Sequence, residues 1–101
     1  MTTHVGKKVA LILMKSDEAD ATIAVLEREC PGVEVTDHGT YWHIAADGEI
    51  LVSMDKVGQE LGRPIELSQW LVVMSSFVGR AAPGPDYFRV TSKMLELEVG
   101  A

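Results

Sequence analysis

Residues Tyr41–Gly62, YWHIAADGEILVSMDKVGQELG, carry the local signals that decide the predicted fold. Two stretches rich in β-forming residues, Tyr41–Ala46 and Ile50–Ser53, flank the pair Asp47-Gly48. An Asp-Gly pair in this setting is the strongest short-range signal for a β-hairpin, because both residues tolerate the positive φ that a tight turn requires. The stretch therefore predicts two adjacent antiparallel strands.

A short helix is predicted directly after this hairpin. Ser53 is a favourable N-cap, Gly62 is a favourable stop, and Pro64 cannot continue a helix. The apolar residues at helical spacing on the inner face are Met54, Val57 and Leu61. Gly58 inside the helix costs about 1 kcal/mol relative to alanine, so we expect this helix to depend on tertiary contacts.

The residues before this stretch predict a strand, a helix and a second strand. Lys8–Lys15 is an apolar segment bounded by charge and too short for a helix, which favours a buried strand. Ser16 and Asp17 can cap the next helix, and Pro31-Gly32 ends it. A single apolar stripe at three- and four-residue steps runs through Ala19, Ile23, Leu26 and Cys30. Val33–Thr36 then predicts a short strand.

The residues after the second helix predict a further pair of strands. A single turn is expected around Ser68–Trp70, a strand over Leu71–Phe77, a rigid loop over Ala81–Asp86 and a strand over Tyr87–Thr91. Leu95–Val99 alternates apolar and acidic residues, as an edge strand does. The order β-α-β-β-β-α-β-β predicts an α+β class: a single compact domain of two α/β modules with a largely antiparallel sheet.

The composition narrows the classes of protein that the chain can represent. Its 101 residues fit one domain, expected as a tail over 1–7, a core over 8–92 and a tail or edge strand over 93–101. A net charge of −6 argues against nucleic acid as a partner. The longest apolar run, Val9–Met14, is too short to cross a membrane or to serve as a signal peptide. One cysteine excludes an internal disulfide and suits the cytoplasm.

No catalytic, cofactor-binding or metal-ligating residue is predicted. His38 and His43 lie across a predicted turn and lack helical ligand spacing, so the simplest interpretation is a turn histidine and a half-exposed strand histidine. Cys30 falls on the helix stripe, where an inert packing role is common. Arg63, beside Pro64, has no evident structural role in the sequence and is a candidate for contact with a partner protein.

Two stretches resemble a known family. Thr40–Pro64 ends in LGRP, and Leu67–Arg80 reads LSQWLVVMSSFVGR. Together they are similar to the small regulatory proteins, also called effector or coupling proteins, of soluble bacterial multicomponent diiron monooxygenases. The resemblance extends over roughly Val9 to Thr91, and the short N-terminal tail is most similar to the toluene and alkene types.

The resemblance implies a protein without cofactor or chemistry of its own. Such proteins dock on the large subunit of the hydroxylase, above its diiron centre, and change the access of substrate, oxygen and electrons. The positions that match the hydroxylase-facing segment, with the turn after it, are Val73, Ser75, Ser76, Phe77 and Gly79. Relatives commonly carry asparagine in place of Val73. The residues themselves leave open whether Val73, Ser75 and Phe77 simply line one face of a sheet.

Two alternative functions remain open from the sequence. The first is a small-ligand-binding α/β regulatory domain that dimerises through its sheet, along the Leu95–Val99 edge. The second is a small enzyme that uses Cys30 or His43. The regulatory interpretation instead predicts a chain that is monomeric when free and binds a hydroxylase, without nucleic acid, membrane or cofactor.

Overall fold

The computed structural model describes residues 8–92, which form seven strands and three helices. The strands are β1 (Lys8–Met14), β2 (Glu34–Asp37), β3 (Tyr41–Asp47), β4 (Glu49–Ser53), β5 (Met74–Val78), β6 (Arg80–Ala81) and β7 (Tyr87–Thr91). The helices are α1 (Asp17–Glu29), α2 (Met54–Leu61) and α3 (Leu67–Val73). The predicted α+β class is confirmed. The predicted strand Leu95–Val99 lies outside the described residues.

The strands form two antiparallel sheets rather than the one that the sequence predicted. The larger sheet has the order β2-β3-β1-β5, and the smaller has the order β4-β7-β6. Leu11 of β1 lies opposite Ile44 of β3, and Ile50 of β4 lies opposite Val90 of β7. All four side chains are buried, so both sheets turn one face toward a common core.

The predicted hairpin around Asp47-Gly48 is wrong. A turn does lie there, since β3 ends at Asp47 and β4 begins at Glu49. However, β3 pairs with β1 along one edge and with β2 along the other, while β4 pairs with β7. Because a strand has two hydrogen-bonding edges and both edges of β3 are occupied, the chain after the turn leaves for the second sheet.

The predicted strand over Leu71–Phe77 is wrong in its first half. The residues from Leu71 to Val73 belong instead to the seven-residue helix α3. This helix also replaces the single turn that the sequence predicted at Ser68–Trp70. A capping box starts this helix, because Glu66 and Gln69 each satisfy a backbone N–H of the other. Trp70 is fully buried and anchors the helix in the core, which outweighs the β-propensity of the valines near its end.

The predicted ends of the two longer helices are confirmed, and the buried face of α1 is rotated. Ser16 and Ser53 cap α1 and α2, and Gly62 ends α2. The buried residues of α1 are Ala19, Ala21, Thr22, Val25 and Leu26, whereas Ile23 and Cys30 are half-buried. The predicted stripe is therefore confirmed at Ala19 and Leu26. Between these two residues, Thr22 and Val25 are buried in place of the predicted Ile23.

Close backbone packing explains the glycine inside α2. A Cβ built on Gly58 would lie 3.0 Å from the carbonyl oxygen of Arg63 and 3.5 Å from Cα of Pro64. The segment after the helix thus folds back onto Gly58. The carbonyl oxygen of Gly58 also accepts hydrogen bonds from the backbone N–H groups of Gly62 and Arg63. This is the tertiary contact that compensates for the low helix propensity of glycine. Among the described residues, no helix is long and apolar enough to cross a membrane.

Candidate functional site

Strand β5 lies at the edge of the larger sheet and contains a bulge. Ile12 of β1 lies opposite Ser76, but the next residue, Leu13, lies opposite Met74, so Ser75 is an extra residue without a partner on β1. Both serines are exposed. Bulges at sheet edges change the direction of side chains and end regular pairing, and they are frequent beside functional sites.

Both serines lie on the outer face of the larger sheet. Ser76 shares that face with Ile12, since opposite residues of paired strands point the same way. Ser75 lines an open groove together with Ile12 and Met14. The two adjacent hydroxyls are therefore presented outward together, which regular alternation along a strand would not allow.

Val73 and Phe77 do not share that face. Val73 is the last residue of α3 and packs, half-buried, against the core. Phe77 lies opposite Leu11 and places its ring 5.8 Å from the ring of Phe88 in an edge-to-face contact. Its side chain remains 38% exposed. The alternative that Val73, Ser75 and Phe77 line one face of a sheet is therefore wrong.

Gly79 joins β5 to β6 with a conformation that glycine favours. Its φ is +127°, and a Cβ at this position would lie 2.8 Å from both the carbonyl oxygen of Thr91 and Cγ2 of Val90. Gly79 therefore lets the end of β5 pass directly against β7. Its role in the structure is to hold β5 in place.

Arg63 has a structural role that the sequence did not reveal. Its guanidinium donates to a carboxylate oxygen of Glu18 on α1 at 3.1 Å, and half of its side chain is exposed. The pKa of Glu18 is lowered, mainly by a hydrogen bond from its own backbone N–H and then by Arg63. The residue thus links the loop after α2 to the first turn of α1 and still presents a charged surface.

Sequence reasoning missed the exposed apolar residues beside the serines. Val72 on α3 is 82% exposed, Leu71 is 38% exposed, and Val78 on β5 is 56% exposed. Once this segment was interpreted as a strand, the exposure of Val72 was hidden, although the spacing of Glu66 and Gln69 could have indicated a helix. Exposed apolar residues next to small polar ones are typical of a protein–protein contact surface.

The two histidines among residues 8–92 contact each other and an aromatic neighbour. The His38 ring stacks on Tyr41 at 4.9 Å and meets the His43 ring edge-to-face at 5.9 Å. No group of three or more metal-ligating side chains occurs within residues 8–92. Burial raises the pKa of the Cys30 thiol, with Glu49 adding to the shift. A raised pKa keeps the sulfur protonated and poorly nucleophilic.

The comparisons with known proteins agree with a regulatory role. The MmoB/DmpM family model matches residues 7–91. Methane monooxygenase regulatory protein B of Methylosinus trichosporium is 36% identical over 100 residues, which cover 94% of this chain and 72% of the relative. The protein of the same name from Methylococcus capsulatus (Bath) is 35% identical over 101 residues, with the same coverage.

Solved structures show the same fold. The soluble methane monooxygenase regulatory protein B superposes with a TM-score of 0.70 and 36% identity, covering 90% of this chain and 69% of that one. A chain from a phenol hydroxylase–regulatory protein complex gives a TM-score of 0.76, covering 84% of this chain and 98% of that one. At 16% identity, this second likeness concerns the fold alone.

Proposed function

Because the chain belongs to the MmoB/DmpM family of monooxygenase regulatory proteins, we propose that it docks on the hydroxylase component of a soluble diiron monooxygenase. It is a regulatory component and not an enzyme. Bound above the diiron centre, it changes the access of substrate and oxygen to the hydroxylase, and so its turnover and regioselectivity. Family membership disfavours the small-ligand-binding alternative.

The observation that carries the docking proposal is the exposure of Val72, Ser75 and Ser76 on the continuous segment from α3 to β5, and we call these three residues the bulge surface. Val72 is 82% exposed, and it precedes by only a few residues two small exposed hydroxyl residues at a sheet edge. Small side chains allow a partner backbone to approach closely, and the valine supplies apolar area that is buried on contact. A fully buried valine side chain contributes about 1.5 kcal/mol or more.

The other candidate residues contribute in different ways. Arg63 is half-exposed and offers a charged contact at the rim of the interface. Phe77 and Gly79 hold β5 against β7, and Val73 holds the end of α3, so these three position the serines.

The regulatory effect follows from linkage. A bound protein shifts the hydroxylase toward one conformation only by its difference in affinity for the two conformations. A tenfold shift requires about 1.4 kcal/mol of differential affinity. Burial of Val72 together with one or two hydrogen bonds to the serines is sufficient for a shift of this size.

The substrate class and cellular location form a narrower proposal. We propose that the partner hydroxylase oxidises alkenes or toluene and that the complex works in the cytoplasm, to which the single cysteine of the chain is suited. Product formation from propene, toluene, phenol and methane by the reconstituted system identifies the substrate. Oxidation of methane or phenol alone would contradict the alkene or toluene assignment.

A titration of the hydroxylase tests the proposed function. Purified chain is added to a soluble diiron hydroxylase and its reductase from the same host, and steady-state turnover is measured. We expect turnover to change and to saturate at a fixed ratio of chain to hydroxylase, with binding detected separately by calorimetry. Unchanged turnover together with no binding at micromolar concentrations would refute the function.

A further inference from the structure

The outer face of the larger sheet carries an apolar strip. Ile12 and Met14 of β1 point outward, where they lie opposite His43 and Tyr41 of β3. Met14 is 48% exposed, and Val78, which lies opposite Ala10 at the far end, is 56% exposed. The outward face of an antiparallel sheet is ordinarily polar when it remains in water. These apolar residues indicate a face that a partner covers.

A groove of about 540 Å³ lies at one end of this strip. It is lined by Ile12, Met14, His38, Tyr41, His43 and Ser75. The two histidines meet edge-to-face at 5.9 Å, and His38 is stacked on Tyr41. Ser75 belongs both to this groove and to the bulge surface, so the two are continuous. The imidazoles therefore line a groove that adjoins the bulge surface at Ser75.

The charges around the groove are already paired. Five charged residues lie on the strands around this face or directly after β1. They are Lys8, Lys15, Glu34, Asp37 and Asp47. Lys15 binds Asp37 at 2.6 Å, and Lys8 lies 3.9 Å from Glu34 and 3.5 Å from Asp47. Strand β5 carries no ionisable side chain. The Asp37 carboxylate also interacts electrostatically with His38, and Tyr41 is the other titratable side chain that lines the groove. Because Asp37 is already held by Lys15, it compensates a buried His38 imidazolium only in part.

We propose that the groove extends the hydroxylase-docking surface beyond Ser75 and that it docks with His38 and His43 neutral, so that binding weakens as the pH falls. This inference rests on the proposed function and adds a regulation to it. Burial against Ile12, Met14 and Tyr41 disfavours the charged form of both imidazoles. Docking at low pH therefore requires each protonated imidazole to release its proton first.

The largest possible size of the effect follows from the linkage between binding and proton release. Each imidazole that must be neutral when bound weakens the affinity by at most about tenfold for each unit by which the pH falls. Two such side chains together weaken it by at most about 100-fold for each pH unit. Binding at low pH then releases up to about two protons per complex.

Calorimetric titration of the hydroxylase with the full chain at pH 7.5 and 6.0 tests this inference. Measurements in buffers of different ionisation enthalpy give the number of protons released. The variants are His38→Phe, His43→Phe and the double variant, which keep an aromatic ring but cannot titrate. His4→Phe is the matched control, because His4 is the third histidine of the sequence and the inference assigns it no part in docking. Far-ultraviolet circular dichroism verifies that each variant is folded, and His38→Phe alone tests half the effect if His43→Phe does not fold.

The expected result is a loss of affinity for the wild-type chain between pH 7.5 and 6.0, with proton release on binding, and both effects should be absent in the double variant. The His4→Phe chain should keep the wild-type pH dependence. The inference is overturned if the double variant keeps that dependence, if binding tightens at low pH, or if sedimentation shows that this face instead joins two copies of the chain. Absence of any binding at pH 7.5 would instead overturn the proposed function itself.

Discussion

The indole Nε1 of Trp70 donates a hydrogen bond to Oγ1 of Thr22 at 3.0 Å, and both side chains are fully buried. The Thr22 hydroxyl in turn donates to the carbonyl oxygen of Glu18 at 2.7 Å. This chain of hydrogen bonds joins α3 to α1. Because β5 follows α3 directly, the same contact positions the bulge surface relative to the core.

Replacement of Thr22 with valine should destabilise the protein by about 1–3 kcal/mol, because the nearly isosteric valine leaves the buried indole N–H without an acceptor. Thr22→Ser is the control, since it keeps the hydroxyl and removes only a methyl group, at a cost of about 1 kcal/mol. Urea unfolding followed by tryptophan fluorescence measures both variants. Equal stability of the valine variant and the wild-type chain would contradict the importance of this hydrogen bond.

Gly79→Ala should destabilise the protein more than Gly39→Ala. Both glycines have positive φ, +127° and +90°, so each alanine carries a conformational cost of about 1–2 kcal/mol. A Cβ at Gly39 meets no atom within 4 Å, whereas one at Gly79 meets the carbonyl oxygen of Thr91 at 2.8 Å. Overpacking adds about 1–3 kcal/mol at Gly79. Thermal unfolding of the two variants isolates that difference, and equal losses would show that the crowding is relieved without cost.

The local signals in the sequence located most element ends but not the pairing of strands. Asp47-Gly48 does form a turn, and Ser16, Ser53 and Gly62 do bound helices. The partner of β3, by contrast, is decided by β1, a strand more than thirty residues earlier in the chain. Local propensity carries no information about a contact between residues so far apart in the chain. The sequence therefore predicts a hairpin at Asp47-Gly48, where the chain in fact passes from one sheet to the other.

The exposed serines of the site were accessible to sequence reasoning, and their geometry was not. The family resemblance pointed to Ser75 and Ser76, both of which are exposed. Their common direction depends on the register between β1 and β5, which shifts between Ile12 and Leu13. Val72 was missed for a related reason, because burial of Trp70 decides that its segment is helical.

Acid should remove a contribution to stability that Glu18 makes. Its pKa is lowered in the folded state by the backbone N–H of its own residue and then by Arg63, so this stability is present above the ordinary carboxyl value of 4.5. It is lost as the pH falls through the lowered folded value. The unfolding free energy of Glu18→Gln should therefore decrease less between pH 6 and 3 than that of the wild-type chain. Arg63→Gln should keep part of the dependence, because the backbone hydrogen bond remains. Parallel curves for the wild-type and Glu18→Gln chains would contradict this assignment.

Val72→Asp should weaken binding to the hydroxylase about tenfold or more without lowering stability. The side chain is 82% exposed in the free chain, so the carboxylate is solvated there and loses water only on docking. Leu51→Asp is the matched control, since Leu51 is 49% exposed on β4, in the other sheet. Calorimetric titration gives both dissociation constants. Similar losses in the two variants would indicate a general effect of added negative charge rather than a contact at Val72.

Ser75→Trp should lower hydroxylase turnover or change its product distribution while the fold remains intact. Ser75 is exposed and has no partner on β1, so the indole can project outward without disturbing the sheet. In the complex, the same bulk keeps the partner from approaching the bulge surface closely. Glu27→Trp, at an exposed position of α1, is the control for a surface tryptophan. Turnover and regioselectivity are measured at saturating chain, after circular dichroism has verified folding. A folded Ser75→Trp chain that stimulates the hydroxylase as the Glu27→Trp chain does would place the interface elsewhere on the molecule.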